Sequence, residues 1–371
     1  MATHTAFTLL LSATLLPLTT SAEEPANKPA FTSSIDAGAW PAGHVQGIAI
    51  DRQRGHVYLS FTRILVKTDL QGKVLGTIEG FTGHLGDLDI DEADGRIYGS
   101  LEYKAKNAFY IAIIDGTKID QAGIKAQGSD LFQTVYLPEV VANYSADMNS
   151  DGKFDGDKAD TPDHRYGCSG IDGVSFGPHI GKTDGKPYLT VAYGIYSNLE
   201  RSDNDHQVLL QYDSSDWLKQ YARPLDEASP HHSGPAAVDG KYFIYTGNTT
   251  YGVQNLEYDE ASKLWFMGVY AGKKPAFPNY TLFAVEASAQ PTSSKLTGTE
   301  ESGLLLPLAP LGKQEKNSGV RGWFQKADVG IASLGDGLFY LAANSKRDGK
   351  EAAVLTLYHW TGDTLAPFEN K

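Results

Sequence analysis

The sequence predicts an all-β fold, a β-propeller with five blades, with six blades as the alternative. A strand–turn–strand segment recurs along the chain: "VQGIAIDRQRGHVYLSF" begins at Val45, and "LGDLDIDEADGRIYGSL" begins 40 residues later at Leu85. Repeated units of roughly this length are typical of propeller blades stacked around a central channel. The 39 glycines and 20 tyrosines also suit many short strands joined by tight turns.

Three further copies extend the repeat. The segment "VQNLEYDEASKLWFMGV" from Val253 is a strong copy, and weaker copies begin at Ile171 and Val329. The segment "GPAAVDGKYFIYTGN" from Gly234 is a candidate for extra strands or a degenerate sixth blade. We expect "AFTSSIDAGAW" from Ala30 to pair with the last blade and close the ring, which removes free sheet edges. A β-sandwich is the alternative fold, and only "SDWLKQYARP" carries a helical signal.

Length and composition favour one large exported domain. Of the 371 residues, 41% are hydrophobic, which is enough for a sizeable core. Residues 1–22 predict a secretory signal peptide, because Phe7 to Leu18 is mostly apolar and small residues precede Glu23. The apolar run is shorter than the ~20 residues of a spanning helix, and a short membrane anchor is the alternative. Residues 23–371 then form a single propeller domain, secreted or periplasmic, with Cys168 as the only cysteine.

The charge balance limits the partners that the protein can have. The formal net charge is −13, and nucleic acids and anionic membranes are bound mainly through Lys and Arg. We therefore expect no nucleic acid partner, and no membrane span once the leader is removed. A small molecule or a carbohydrate is the expected substrate, and a monomer is the expected state.

The segment "DMNSDGKFDGDK" from Asp147 to Lys158 predicts a calcium site. Oxygen ligands at every second position around a glycine resemble an EF-hand loop and its dockerin variant. An acid normally closes such a loop at position 12, where Lys158 stands, so Asp157 or Asp160 would substitute. No clear helix flanks the segment, so we interpret it as an insertion between strands, residues 143–165, and a solvated Asp-Gly turn is the alternative. The predicted Ca²⁺ ligands are Asp147, Asn149, Asp151, the backbone carbonyl of Lys153, Asp155 and Asp160.

Alignment of the repeats gathers polar residues where the innermost strands begin. Those positions line the mouth of the channel in a propeller, where an interior that is only packed would be apolar. Two neighbouring segments, "DHRYGCSGIDG" and "GNTTYGVQN", add a histidine, an arginine and a tyrosine, a set that suits proton abstraction with charge neutralisation. Asp89 and Asp91 are expected to face solvent or a turn. The candidate catalytic residues are His44, His84, His164, Arg165, Asp172 and Tyr251, and the candidate substrate-binding residues are Gln46, Asp87, Asn248, Gln254 and Asn255.

Three segments carry a resemblance to known proteins. The chain resembles a group of exported bacterial β-propeller proteins that contain "GHLGDLDID", "DHRYGCSGIDG" and "GNTTYGVQNLEYD" in this order. The resemblance implies a propeller fold and export, and no particular activity. In architecture the chain is similar, more distantly, to calcium-dependent propellers: gluconolactonase and senescence marker protein, paraoxonase and β-propeller phytase. The phytase aspartates before "PAIW" and the gluconolactonase metal ligands are missing here, so no catalytic residue is carried over.

Two functions of different class remain open from the sequence. The first is a calcium-binding hydrolase or lyase that acts on an extracellular ester, lactone or carbohydrate. The second is a non-catalytic propeller that binds a sugar or peptide on an aromatic platform. Loss of turnover without loss of stability in variants of His84 and Arg165 would favour the enzyme. The residues of the expected platform are Tyr193, Tyr196, Tyr251, Trp265 and Trp323.

Overall fold

A computed structural model describes residues 1–3 and 30–371 of the chain. The predicted signal peptide therefore lies outside the described residues, apart from its first three. The described strands form five mainly antiparallel sheets around an axis, with one two-stranded ribbon beside them, so the predicted five-bladed propeller is confirmed. The five repeats mark the innermost strand of each blade. None of the helices in the described part of the chain is long and apolar enough to cross a membrane.

The first blade carries the first copy of the repeat. A short parallel strand from the following connection adds to its outer edge. Its strands from the axis outwards are β2 (Gly47–Asp51), β3 (His56–Phe61), β4 (Ile64–Asp69), β5 (Val74–Glu79) and β9 (Ile124–Lys125).

The second blade carries the second copy and again starts at the axis. Two 3-10 turns, Lys104–Lys106 and Gly116–Lys118, lie in its connections. Its strands from the axis outwards are β6 (His84–Asp91), β7 (Arg96–Tyr103), β8 (Ala108–Ile114), β10 (Phe132–Tyr136) and β14 (Arg223–Pro224).

The third blade is the widest, because a later hairpin extends it. The "GPAAVDGKYFIYTGN" segment supplies its fourth strand and is not a sixth blade. The helix α2 (Trp217–Gln220), which was expected, lies in its outer connection. Its strands from the axis outwards are β11 (Cys168–Pro178), β12 (Pro187–Ile195), β13 (His206–Tyr212), β15 (Gly240–Tyr245), β20 (Ser302–Leu306) and β19 (Thr292–Lys295).

The fourth and fifth blades complete the ring. The fourth contains β16 (Thr250–Asp259), β17 (Leu264–Tyr270) and β18 (Leu282–Glu286), and the ribbon of β21 (Lys313–Gln314) and β22 (Arg321–Gly322) lies next to it. The fifth contains β23 (Ile331–Gly335), β24 (Leu338–Arg347), β25 (Lys350–Trp360), β1 (Ser34–Trp40) and β26 (Phe368–Asn370).

The aspartate at the end of the innermost strand stabilises the turn that follows it in three of the repeats. The Asp51 carboxylate accepts hydrogen bonds from the backbone N–H groups of Gln53 and Arg54. Asp91 accepts in the same way from Ala93, and Asp259 accepts from Ser262. Such side chain to backbone bonds fold the chain back into the second strand, which is why aspartate recurs at this position.

The insertion between the second and third blades differs from the expectation in one respect. A short helix, α1 (Pro138–Tyr144), comes three residues before Asp147, although no helix was expected beside the aspartate loop. Pro138 stands at the first helical position, where its missing N–H is tolerated. Val140 and Tyr144 are buried against the third blade, so packing rather than a strong local signal forms this helix.

The N-terminal strand closes the ring. β1 pairs antiparallel with β25, so the first described strand and the last blade belong to one sheet. Ile35 is fully buried in a core that the first and fifth blades share, whereas its neighbour Ser34 is exposed.

We predict that Ile35→Ala lowers the free energy of unfolding by roughly 2–5 kcal/mol, because a buried side chain is lost where the two blades meet. Ser34→Ala, one residue away and exposed, should change it by less than about 0.5 kcal/mol. Denaturant unfolding of both variants measures the difference. Equal stability of the two variants would show that closure by β1 contributes nothing.

Candidate active site

A polar cavity of about 520 Å³ opens at the end of the channel where the innermost strands begin. Its wall combines the first four blades with the insertion that carries the aspartate loop. Six of the residues that the sequence proposed for a site line it together: His44, Gln46, His84, Asp172, Tyr251 and Gln254.

His84 lies between two carboxylates. Its Nδ1 is 3.5 Å from Oε2 of Glu102 and 3.6 Å from Oδ1 of Asp172. Burial lowers the pKa of His84, but the hydrogen bond to Glu102 and the charges of both carboxylates outweigh burial, so the pKa lies above its usual value. The imidazole therefore carries a proton over a wider pH range than a free histidine does.

Glu102 was missed by sequence reasoning, because it stands on the second strand of its blade and not on the innermost one. Its Oε1 accepts a 2.6 Å hydrogen bond from the backbone N–H of Ile171 in the next blade. Gly170 makes this approach possible: its φ is +122°, and a Cβ there would lie 1.8 Å from Oε1 of Glu102. A buried glutamate at the end of an apolar strand was the signal that could have found it.

Asp172 is the second carboxylate beside His84. Its Oδ2 accepts a 3.0 Å hydrogen bond from Nε2 of Gln254. Burial raises the pKa of Asp172 to about 7, with Glu102 adding to the rise and His84, Lys104 and Gln254 opposing it. Near neutral pH, Asp172 can thus either donate or accept a hydrogen bond.

His44 lies across the cavity in a different environment. Its Nε2 is 3.1 Å from the hydroxyl of Tyr270, another residue of a second strand that the sequence reasoning missed. Burial lowers the pKa of His44, and the charge of His84 lowers it further. The two histidines of one cavity thus have pKa values shifted in opposite directions.

The insertion supplies an acidic wall. Asp157, which lies between the predicted calcium ligands Asp155 and Asp160, accepts a hydrogen bond from the hydroxyl of Tyr196. Lys104 bridges this wall to the histidine centre, with its Nζ 4.0 Å from Asp157 and 3.8 Å from Glu102. Burial lowers the pKa of Lys104, but the charges of Glu102, Asp157 and Asp172 outweigh burial and raise it.

Asp87 and Asn255 lie in the channel and are not among the residues that line the cavity. Oδ2 of Asp87 accepts hydrogen bonds from the N–H groups of Val174 and Leu256, at 3.0 and 2.9 Å. Nδ2 of Asn255 donates to the carbonyl oxygens of Gln46 and Gln254. Both residues are almost completely buried, so in this structure they support the site rather than contact a substrate.

Three other proposed site residues lie away from the cavity. His164 is fully buried, donates from Nδ1 to the carbonyl of Tyr144 at 2.6 Å, and packs among aromatic rings. Arg165 is exposed and pairs with Glu301 at 3.5 Å. Asn248 is buried and accepts from the N–H of Lys274. His164 and Arg165 are close in sequence to the third innermost strand, but they do not lie at the end of that strand that lines the cavity.

The expected aromatic platform does not form. Tyr193, Trp265 and Trp323 are core residues with at most 2% of their surface exposed. Tyr196 lines the cavity but is almost buried, whereas Tyr251 is half exposed at the mouth. The expectation that these five rings form one binding surface is therefore wrong.

The aspartate loop turns sharply at its glycine. Gly152 has φ +78° and donates its N–H to Asp147, and Asp151 donates its N–H to both Asp147 and Asn149. The carboxylate that folds back onto the loop is Asp163, which accepts from the N–H groups of Met148 and Asp155, whereas Asp160 is exposed. Within residues 1–3 and 30–371, no group of three or more acidic, histidine or cysteine side chains is arranged to hold a metal ion.

No protein-family model matches the chain, and no curated protein matches it by sequence. Among solved structures, the chain is similar to hydrazine synthase of Kuenenia stuttgartiensis, with 11% identity, 84% of this chain and 83% of that chain covered, and a TM-score of 0.35. It is also similar to the β-propeller domain of Cps50 (Swd1) of Myceliophteria thermophila, with 8% identity, 85% and 84% covered, and a TM-score of 0.30. Similarities this low carry no argument about chemistry. Of the resemblances drawn from the sequence, only the propeller architecture is confirmed.

We predict that Glu102→Gln lowers the pKa of His84, because burial remains while the hydrogen bond and the negative charge of Glu102 are lost. Nuclear magnetic resonance titration of the histidine ring protons measures this change. His206, whose pKa burial alone lowers to about 4, is the internal control and should not move. An unchanged His84 titration would show that Glu102 does not set its charge.

Proposed function

We propose that the protein is an exported, calcium-binding enzyme, a hydrolase or lyase that uses acid–base chemistry on an ester, lactone or carbohydrate. One observation carries this proposal: a single polar cavity holds His84 between two carboxylates and His44 against a phenol. Where the environments of two titratable groups shift their pKa values in opposite directions, one group can act as the acid and the other as the base.

His84 is the general acid of the proposed reaction. The pKa of its imidazole is raised, so the ring keeps its proton to a higher pH than a free histidine does, and Glu102 holds it through Nδ1. A proton on the other ring nitrogen can then pass to the oxygen of a leaving group. Transfer of this kind by a positioned side chain contributes roughly 10²- to 10⁴-fold to a rate.

The Tyr270–His44 pair is the general base. Because the pKa of His44 is lowered, its imidazole is neutral and can take the phenol proton while the Tyr270 oxygen accepts one from the reactant. In hydrolysis that proton comes from a water whose oxygen attacks the carbonyl carbon. In elimination it comes from the carbon next to a carboxyl group. In both reactions His84 protonates the departing oxygen.

Asp172 and Lys104 replace the arginine that the sequence suggested for charge neutralisation. The pKa of Asp172 is about 7, so its protonated form can donate a hydrogen bond to an oxygen that gains negative charge. Lys104 lines the same cavity and carries a positive charge. These two groups support a substrate with a carbonyl or carboxyl group at the reacting centre.

We predict that His84→Gln and His44→Gln each lower kcat by roughly 10²- to 10⁴-fold, and that Arg165→Gln leaves it unchanged. Nitrophenyl esters, aldonolactones and uronate-containing polysaccharides form the substrate panel. The rate should fall at acid pH as His44 gains a proton and at alkaline pH as His84 loses one. Thermal unfolding of each variant is the control. A His84→Gln variant that loses thermal stability along with its rate would contradict the catalytic role of His84.

Calcium binding is the second part of the proposal. Asp147, Asn149, Asp151 and the carbonyl of Lys153 supply the hard oxygen donors that Ca²⁺ prefers. Because the acids of the loop do not converge in this structure, binding would draw them together, with Asp163 in place of Asp160 as the closing acid. Asp157 belongs to the same insertion and lines the cavity, so a bound cation would fix the acidic wall of the site.

We predict that calcium at about 100 times its Kd stabilises the protein by about 2.7 kcal/mol, and that a chelator removes this gain. Asp163→Asn should abolish the calcium-dependent part of the stability, whereas Asp160→Asn, at an exposed position, should retain it. Thermal unfolding with and without calcium measures both variants. An equal loss in the two variants would contradict the assignment of Asp163.

Sugar or peptide binding without turnover is favoured by one observation. The Tyr251 ring is half exposed at the mouth, while its backbone carbonyl accepts a 2.8 Å hydrogen bond from Gln254. A ring held in this way can stack on a sugar. This alternative would be supported by a compound that the native protein binds saturably without converting it and that the His84→Gln variant binds as well.

A further inference from the structure

A side groove of about 450 Å³ adjoins the candidate active site on the second blade. Its lining includes His84, Glu102 and Lys104, and these same three residues also line the polar cavity of the active site. The two spaces therefore meet at His84. Because His84 protonates the departing oxygen in the proposed reaction, the place where they meet is also the place where a substrate would be divided.

The rest of the side groove comes from two segments at the same end of the second blade. Thr82 and Gly83 precede the innermost strand, whereas Tyr103, Ala105 and Lys106 belong to the end of the second strand and the 3-10 turn after it. These five residues do not line the active-site cavity. A ligand that fills both spaces must therefore be longer than one that fills the cavity alone.

The carboxylate of Glu227 holds the walls of the side groove in place. It accepts hydrogen bonds from the backbone N–H of Thr82 at 2.6 Å, from the Thr82 hydroxyl at 3.1 Å and from the Tyr103 hydroxyl at 2.6 Å. Gly83 lets the Tyr103 ring approach the backbone, since a Cβ at Gly83 would lie 2.5 Å from Cζ of that ring. The groove is therefore formed before any ligand binds, which lowers the cost of binding.

The charge of the side groove is opposite in sign to that of the whole protein. The formal net charge of the chain is −13, yet Glu102 is the one acid among the described residues that line the groove, beside Lys104, Lys106 and His84. Glu102 is already engaged by His84 and by the backbone N–H of Ile171. A concave surface lined mainly by one sign of charge attracts ligands of the other sign, so the groove favours an anion.

Lys104 stands where the groove and the cavity meet. Its Nζ is 3.8 Å from Glu102 and 4.0 Å from Asp157, and both separations are too long for a hydrogen bond. An ammonium group has three N–H donors, so Lys104 attracts these two carboxylates without donating to either. A carboxylate of a ligand at this position would accept those hydrogen bonds.

Lys106 is the second cation of the groove. Its side chain is exposed, and its Nζ donates to the backbone carbonyl of Glu227. A carbonyl oxygen has no formal charge, so this contact orients Lys106 without neutralising it. Lys104 and Lys106 belong to one 3-10 turn, and they supply two positive charges to one groove.

We propose that the side groove binds the leaving part of an acidic oligosaccharide, a chain of uronate units with the carboxylate of the reacting unit at Lys104 and that of the next unit at Lys106. This assignment rests on the proposed function, and it narrows the substrate from esters, lactones and carbohydrates in general to an anionic sugar chain. The reacting unit lies in the active-site cavity, and the glycosidic oxygen that His84 protonates joins it to the units in the groove.

Isothermal titration calorimetry with a tetramer of galacturonate, at about 0.15 M salt, tests the proposal. The full-length His44→Gln variant is the background, because it prevents cleavage and His44 does not line the groove. Saturable binding is expected. Lys106→Gln should weaken it about two- to fivefold, and Lys106→Glu, which replaces attraction by repulsion, roughly tenfold.

Lys313→Gln is the matched control, since Lys313 is exposed on the ribbon beside the fourth blade and its loss should leave the affinity unchanged. Three results would overturn the proposal. They are no saturable binding of the charged tetramer, equal affinity in the background protein and both Lys106 variants, and equally tight binding of an uncharged tetramer of glucose.

Turnover of nitrophenyl esters by the native protein separates this proposal from the proposed function. Turnover together with any of the three results would retain the enzyme and remove the side groove from its substrate site. Binding of the tetramer that depends on Lys106, without turnover of any substrate, would support the groove as a site for acidic sugar chains and contradict the enzyme.

Discussion

The carboxylate of Asp87 joins three blades at the axis of the propeller. It belongs to the second blade, and its Oδ2 accepts N–H groups from Val174 of the third blade and Leu256 of the fourth. The first blade also comes close, since a Cβ on Gly47 would lie 2.6 Å from Oδ1 of Asp87. Burial raises the pKa of Asp87 well above its usual value, and the hydrogen bonds from the N–H groups of Leu256 and Val174 oppose this rise only in part.

This junction, formed by the hydrogen bonds of Asp87, sets the level along the channel axis at which the candidate catalytic groups meet. His84 stands three residues before Asp87, Asp172 two residues before Val174, and Gln254 two residues before Leu256. Further side chains cross from blade to blade in the same zone: Ser60 donates to the carbonyl of Gly86, and Ser100 donates to that of Asp172. Because these bonds fix the innermost strands against one another, the polar groups at the mouth occupy defined positions.

The two ends of the channel are chemically distinct for the same reason. The mouth gathers the residues that precede the junction, which are histidines with carboxylate and phenol partners. The other end gathers the residues that follow it, where each strand runs into an acidic turn. Asp91, whose carboxylate folds the turn of the second blade, is also among the carboxylates that line the cavity at that end.

The repeat predicted the blades and the innermost strands because its period and turn residues are local properties of the chain. The same alignment brought His44, His84 and Asp172 together. It could not find Glu102 and Tyr270, since these stand on second strands, and their direction towards the axis depends on how blades pack. Sequence proximity to the third innermost strand, and not the alignment, suggested His164 and Arg165, which are held elsewhere by Tyr144 and Glu301. The helix α1 was missed because burial, and not propensity, stabilises it.

Hydrogen exchange at two backbone amides tests the junction most directly. In Asp87→Ala, the N–H groups of Val174 and Leu256 lose a common acceptor, so we expect both to exchange faster together while amides in the outer strands keep their protection. Unchanged protection of these two amides in a folded variant would contradict the claim that Asp87 holds the blades in register.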